Sequence, residues 1–169
     1  MRATEVLAAH HDELRSLLAR LADLPAARVG ERRRVLDELV DELSLHEQLE
    51  DEIFYPSVTA ASPMVAVAHA EHRYLEDQVA VVLRTGPSRA GFDEEVRVLR
   101  EAVEHHAGHE ESEMFTEVDA KLDAGVLEEM GARLTARLVQ LRASRRTRLR
   151  LRVKRAVLRR TPGGSPAVG

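Results

Sequence analysis

The chain of 169 residues is long enough for one domain with a substantial core and short tails, and it contains no cysteine, which excludes disulfides, thiolate metal sites and a thiol nucleophile. Aromatic residues make up only 3% while Ala, Val and Leu dominate, a composition suited to helices packed through aliphatic side chains rather than to a sheet. The formal net charge of -4 conceals an acidic body, residues 1–130, with all 29 acidic residues against 13 Lys and Arg, and a basic tail, residues 131–169, with the other 12 and no acid.

Four segments carry helical periodicity. The first runs from about Thr4, the expected N-cap, through Val6, Leu7, Leu14, Leu17, Leu18 and Leu21 to Pro25. The second, from about Glu31 to Tyr55, places Leu36, Leu39, Leu43, His46, Glu50 and Ile53 at steps of three and four on one inward stripe, and Pro56 is expected to end it. The third starts near Pro63 and follows Val65, His69, His72, Glu76, Val79 and Leu83 to a breaker at Thr85-Gly86-Pro87. The fourth, from about Phe92 to Leu122, aligns Phe92, Val96, Leu99, Val103, His106 and Glu110. Short connections between four long helices predict an all-α fold, an up-down antiparallel four-helix bundle over residues 1–124. Helix one echoes helix three, and helix two echoes helix four, so the bundle reads as a duplicated helical hairpin.

All eight histidines fall in four groups, one per helix: His10 and His11, His46, His69 and His72, and His105, His106 and His109. Antiparallel alternation brings the groups to one level. On helices two and four a His and a Glu four residues apart share a face and reach a common point in the core. Burying ionised carboxylates without a partner costs several kcal/mol, and the same stripes offer no Lys or Arg. A cation must therefore supply the missing charge. Imidazole with carboxylate suits iron, manganese or zinc, and two carboxylates inside a four-helix bundle suit a dinuclear centre, of which iron is the usual occupant. Taken singly, each histidine or His-x-x-x-Glu pair is an ordinary feature of a charged helix; two such pairs in repeat register, each continuing a leucine stripe, are not.

The ordered set His11, His46-Glu-Gln-Leu-Glu50 running into Phe54-Tyr55-Pro56, Glu71-His72, and His106-Ala-Gly-His-Glu110-Glu111 running into Phe115 resembles the hemerythrin-like, HHE cation-binding family over residues 4 to 122. The resemblance implies a carboxylate-bridged non-haem centre of two iron ions, with Glu50 and Glu110 as bridges and His11, His46, His72 and His106 as terminal ligands. Departures from the oxygen-carrying members are visible. Glu76 stands where their third helix carries a second histidine, either as a ligand or as a hydrogen-bond acceptor beside one. Their last helix also uses a longer His-to-carboxylate spacing, and here His106 is followed by both Glu110 and Glu111. Glu47 is a further candidate ligand, His10 is the alternative to His11, and His69 is either a ligand or a partner of one. His105 and His109 read as supporting or surface groups, and Phe54, Tyr55, Met114 and Phe115 as core that caps the site against water.

An anionic ligand stabilises the ferric state more than imidazole does. A site with Glu76 in place of a histidine is thus expected to respond to dioxygen, peroxide or nitric oxide, or to handle iron, rather than to carry oxygen reversibly. Residues 125–160 are expected to extend the bundle as a basic amphipathic helix or extension, clear as far as residue 142. The Arg-rich run beyond it alternates too regularly between Leu149 and Val153 to predict a helix from pattern alone. That run packs on the acidic body, or it contacts an anionic membrane surface or, nonspecifically, nucleic acid through residues 143–160, which would make the protein a tethered metal-dependent regulator. A metal-free helical interaction bundle is the third class. Residues 161–169 are expected to be disordered. The N-terminal stretch lacks an apolar run long enough for a signal peptide, and no window approaches the ~18 apolar residues of a membrane span, so a cytoplasmic location is expected.

Overall fold

The structure, a computed structural model, describes residues 1–160; the tail expected to be disordered lies outside the described residues. Six helical rods follow one another. The first is α1, Ala3–Asp23. The second is α2, Val29–Leu49, carried through a π-helical turn, Glu50–Phe54, into α3, Tyr55–Val58. The third is α4, Val65–Thr85. The fourth joins α5, Phe92–His109, through a second π-helical turn, Glu110–Met114, to α6, Phe115–Lys121; α7, Ala124–Ala143, and α8, Arg145–Leu158, follow.

The first four rods form the antiparallel bundle, with α1 against α2 and α5, and α4 against α5. The reversal from α4 to α5 uses Gly86 (φ 72°) and Gly91 (φ 85°), in the left-handed region that only glycine enters without strain. The apolar side chains form two clusters. One contains Leu14, Leu18, Leu36, Leu39, Leu75, Val79, Leu99 and Val103. The other contains Leu7, Leu49, Phe54, Tyr55, Ala68, Met114 and Phe115. Between them in each of the first four rods falls a histidine: His11 between Leu7 and Leu14, His46 between Leu39 and Leu49, His72 between Ala68 and Leu75, His106 between Val103 and Met114. The polar layer is thus clamped between two close-packed apolar layers.

Three local expectations change. Thr4 lies inside α1, with its hydroxyl donating to Asp119 Oδ1 (2.9 Å); the cap is Arg2, whose backbone N–H is accepted by Glu5 (2.8 Å). Pro56 does not end the second rod. The π turn before it shifts the ladder, Tyr55 N–H donating to the Glu50 carbonyl, and proline's missing donor falls where the register returns to the α pattern. The Arg-rich run is helical as α8. Ser144 breaks it from α7 and caps it, accepting from Thr147 N–H (3.2 Å).

The two C-terminal helices cover the acidic body. α7 lies along α1, and Gly131 is what allows it: a Cβ there would meet the Met1 carbonyl oxygen at 2.3 Å. α8 packs on α2 and α4, with Leu151 buried and Arg155, Arg159 and Lys154 paired with Asp37, Asp41, Glu47 and Glu76. Within the described residues, no helix is long and apolar enough to cross a membrane.

Candidate metal centre

Because α2 and α5 run in the same phase of the repeat, each delivers a histidine from its last turn and a glutamate from the first position of its π turn. His11, His46, Glu50, His106 and Glu110 are all buried and offer ligand atoms within 4.8 Å of one another. His72, also buried, joins them from α4. The imidazoles form two facing pairs, His11 Nε2 to His46 Nε2 at 2.9 Å and His72 Nε2 to His106 Nε2 at 3.2 Å. Both carboxylates span the pairs. Glu50 lies 3.2 Å from His46 and 3.1 Å from His72, and Glu110 3.3 Å from His11 and 3.7 Å from His106.

Whether this set fits a cation is decided by its orphans. Both oxygens of Glu50 and Oε2 of Glu110 are buried without a hydrogen bond, close to the imidazole nitrogens but not in donor geometry. An unsatisfied buried carboxylate is among the most expensive features a core can contain, and a metal ion is the partner these lone pairs lack. The proton balance says the same. Burial drives His46 down to about 3, whereas at His11 and His72 the facing carboxylates overcome burial and push both up to about 9. Burial and the charge of Glu50 together raise Glu110, while the imidazoles of His46 and His72 outweigh burial at Glu50 and hold it low. Two carboxylates in one dry site cannot both ionise comfortably without added positive charge.

The outward-facing ring nitrogens are held in place. His11 Nδ1 faces Glu111 Oε1 at 2.8 Å, and Arg15 binds both oxygens of Glu111 (2.9 and 3.2 Å). On the other side His106 Nδ1 faces Glu71 Oε2 at 3.1 Å. Carboxylates in these positions fix ring orientation and the tautomer that turns Nε2 inward. Glu111 is pulled down to about 2 by His11 and Arg15, and so stays ionised.

The remaining sequence candidates fall around the cluster. His10 is buried against Glu42 (3.1 Å), with its ring edge on His46. His69 is exposed beside Asp51 (3.4 Å). Glu76 and Glu47 turn to Lys154 of α8, at 3.2 and 3.8 Å, rather than into the cluster. For Glu76 the reason is its place on α4, whose buried stripe runs Ala68, His72, Leu75, Val79, Val82 and leaves Glu76 on the flank, half-exposed. Sequence reasoning missed Tyr55. Its hydroxyl lies in the cluster, donating to Glu110 Oε1 (2.8 Å) and 3.2 Å from His72 Nε2. Burial and the charges of Glu50 and Glu110 raise this phenol, so it keeps its proton as the donor. The signal was present in the repeat, where Tyr55 is answered by Phe115 and the pair differs by one hydroxyl. Beside His72 a cleft of about 340 Å³ opens to solvent between α2, α4 and α8, lined also by Glu47, Asp51, His69 and Lys154.

A helical bundle with a buried layer of paired imidazoles and bridging carboxylates is a metal-binding protein. Residues 2–118 match the model of the hemerythrin HHE cation binding domain, and the chain belongs to that family. It is 37% identical over 161 residues to Rv2633c of Mycobacterium tuberculosis and equally to Mb2666c of Mycobacterium bovis, covering 94% of this chain and 99% of each relative. Among solved structures it is similar to a hemerythrin HHE cation binding domain-containing protein of Mycobacterium kansasii, a homologue of Rv2633c, at 39% identity and a TM-score of 0.82, covering 95% of this chain and 98% of that one. These likenesses run well past residue 118, so α7 and most of α8 fall within them.

Proposed function

We propose that the chain holds a non-haem di-iron centre in which Glu50 and Glu110 bridge two ions, His11 and His46 bind one, His72 and His106 bind the other, and Tyr55 adds a phenol on the second side. The observation that carries this is the pairing itself: two imidazole pairs, each within reach of both carboxylates. Two ferrous ions held by these residues would supply two electrons, enough to take dioxygen to the oxidation level of peroxide. The residues do the rest. The apolar layers exclude water, the cleft beside His72 admits a small ligand, and the proton on Tyr55 is held where Glu110 can share it.

On this reading the protein responds in the cytoplasm to dioxygen, peroxide or nitric oxide, or handles iron, and is not a reversible oxygen carrier. Glu76 turns away to Lys154, and an ion held beside Tyr55 would displace the phenol's proton toward Glu110 and gain there the anionic ligand that favours the ferric state. Metal analysis with near-ultraviolet spectra before and after azide tests it. Two irons per chain and the absorption of an oxo-bridged ferric pair are expected. Stoichiometric zinc, or no stoichiometric metal, sinks the proposal, and a reduced protein that releases dioxygen intact over many cycles restores the carrier.

A second reading concerns α8. Leu149 and Val153 are exposed on it, beside Arg145, Arg146, Arg148 and Arg152, which have no acidic partner among the described residues. Arginines flanking an apolar face favour an anionic lipid surface over nucleic acid, which rewards charge alone. Sedimentation with phosphatidylserine vesicles is expected, and is expected to fail when those four arginines become Gln with metal content unchanged. Binding to duplex DNA without binding to vesicles overturns the lipid reading.

A further inference from the structure

Glu71 raises the question that Glu50 raised, at the surface. Its side chain is largely buried, and every ion-pair partner it has is a histidine: His106 Nδ1 at 3.1 Å on one oxygen, His109 Nδ1 at 2.6 Å and His105 Nε2 at 3.6 Å on the other. No Lys or Arg neutralises it. The contrast with the group His10, Glu13 and Glu42 is informative, since there Arg142 reaches both acids (2.7 and 2.6 Å), a permanent cation that Glu71 lacks.

His105 and His109 stand four residues apart on α5, so both rings project over the same turn, with centroids 4.1 Å apart. This is the chelating arrangement of two imidazoles on a helix, and across from it α4 presents a carboxylate oxygen. The three ligand atoms lie within 4.8 Å of one another, His105 is exposed and His109 partly so, which leaves further coordination positions to water. A tetrahedral ion with bonds of about 2.0–2.1 Å sets its ligand atoms roughly 3.3 Å apart. The separations of 2.6 and 3.6 Å from Glu71 Oε1 straddle that figure, and exposed side-chain rotation closes the difference.

We propose that His105, His109 and Glu71 form an outer mononuclear site for a borderline divalent transition ion such as zinc or copper. Two imidazoles and one carboxylate suit these ions better than magnesium or calcium, which take oxygen ligands. The site is separate from the buried centre but not independent of it. Glu71 offers one oxygen to the outer ion and the other to His106, so an ion outside draws on the carboxylate that orients a ligand inside.

Zinc titration of the full-length, iron-loaded protein by calorimetry tests the proposal. The wild-type chain is expected to bind one more equivalent than the variant carrying His105→Ala and His109→Ala, with iron content and helical circular dichroism equal in the two. Should the double variant fold poorly, His105→Gln at the more exposed position is read instead, and a weakening of roughly tenfold is expected from the loss of one chelating ring. Identical isotherms for wild type and variant overturn the site. So does an extra equivalent that survives both substitutions and disappears with His69→Ala, because the ion would then sit by Asp51.

Discussion

The two hairpins of the bundle carry the same His-x-x-x-Glu pattern into the same π-helical turn and then finish it differently. In the first, the residue after the turn is Tyr55, whose hydroxyl crosses to Glu110 of the other hairpin. In the second it is Phe115, whose ring stacks on His11 at 6.0 Å with 3° between the planes. The repeat fixes where the candidate ligands stand, since both glutamates open a turn that is one residue wider than α and so can lean toward the facing helix. The asymmetry fixes what surrounds each side of the centre: a phenol and the open cleft beside His72, a sealed aromatic wall beside His11.

The comparison breaks first at the carboxylates. Glu50→Ala removes the group that faces both imidazole pairs, and stoichiometric metal is expected to fall to near zero by elemental analysis. The melting temperature should drop to that of chelator-treated protein, because bound metal stabilises only the folded chain. Full metal retention would mean that the two pairs are not joined through Glu50.

Loading should also depend on pH, and with opposite sign to metal-free stability. His11 and His72, raised from 6.5 to about 9, are protonated in the metal-free protein at neutral pH and must lose those protons to bind an ion. Apparent metal affinity is therefore expected to rise with pH up to about 9, by about tenfold per unit for each proton displaced. The metal-free fold runs the other way. A raised histidine contributes stability that is fully present below its unfolded value of about 6.5 and lost as pH climbs through about 9. Competition titrations and thermal melts at pH 6, 7.5 and 9 measure the two slopes; parallel slopes would contradict the assignment of these rings as ligands.

Exchanging the asymmetric pair sharpens the comparison further. Tyr55→Phe makes the first hairpin end like the second and strips a buried carboxylate oxygen of its donor, at a cost of about 1–3 kcal/mol in metal-free stability. In the iron-loaded protein any visible phenolate-to-iron absorption should vanish with it. Phe115→Tyr should leave that absorption as it was, since Tyr55 remains.

Most of this arrangement was legible in the sequence because it obeys helical phase. His46 and Glu50 continue the stripe of Leu36, Leu39 and Leu43, and His106 and Glu110 that of Val96, Leu99 and Val103, so burial of the apolar stripe dictates burial of the candidate ligands. What periodicity does not carry is a change of period. The π turns, Glu50–Phe54 and Glu110–Met114, add a residue to the helix with no proline or glycine inside them, and they bring Tyr55 into the site although an α-helical count assigns it to the apolar core. Glu76, expected as a ligand or as a hydrogen-bond acceptor beside one, is placed outside the cluster for a related reason, as it lies off the narrow buried stripe of α4 and pairs with Lys154. The pattern left α8 open between helix and extension because its helix depends on distant partners. Arg145 and Arg146 oppose the helix dipole at its start, and only the acids of α2 and α4 make a run of like charges tolerable.

Those partners give the smallest expected effect, and it again separates the halves. Glu47 follows His46 in the first hairpin, where the second has Ala107 after His106, and it is Glu47 that α8 covers. Burial pushes this carboxyl up, with His72 and Lys154 opposing. Lys154→Ala removes one of the two restraints on a nearly buried charge while leaving the helix propensity of α8 intact. At neutral pH the change is expected to cost about 1 kcal/mol or less, the scale of a partly exposed pair. As pH falls and Glu47 takes up a proton, the cost should shrink toward what the exposed Glu76 pair alone contributes, since a neutral carboxyl no longer needs the ammonium. Urea denaturation of both proteins at pH 7 and pH 5 reads the difference. A cost that grows on acidification would show that Lys154 stabilises α8 by its packed stem and not by its charge.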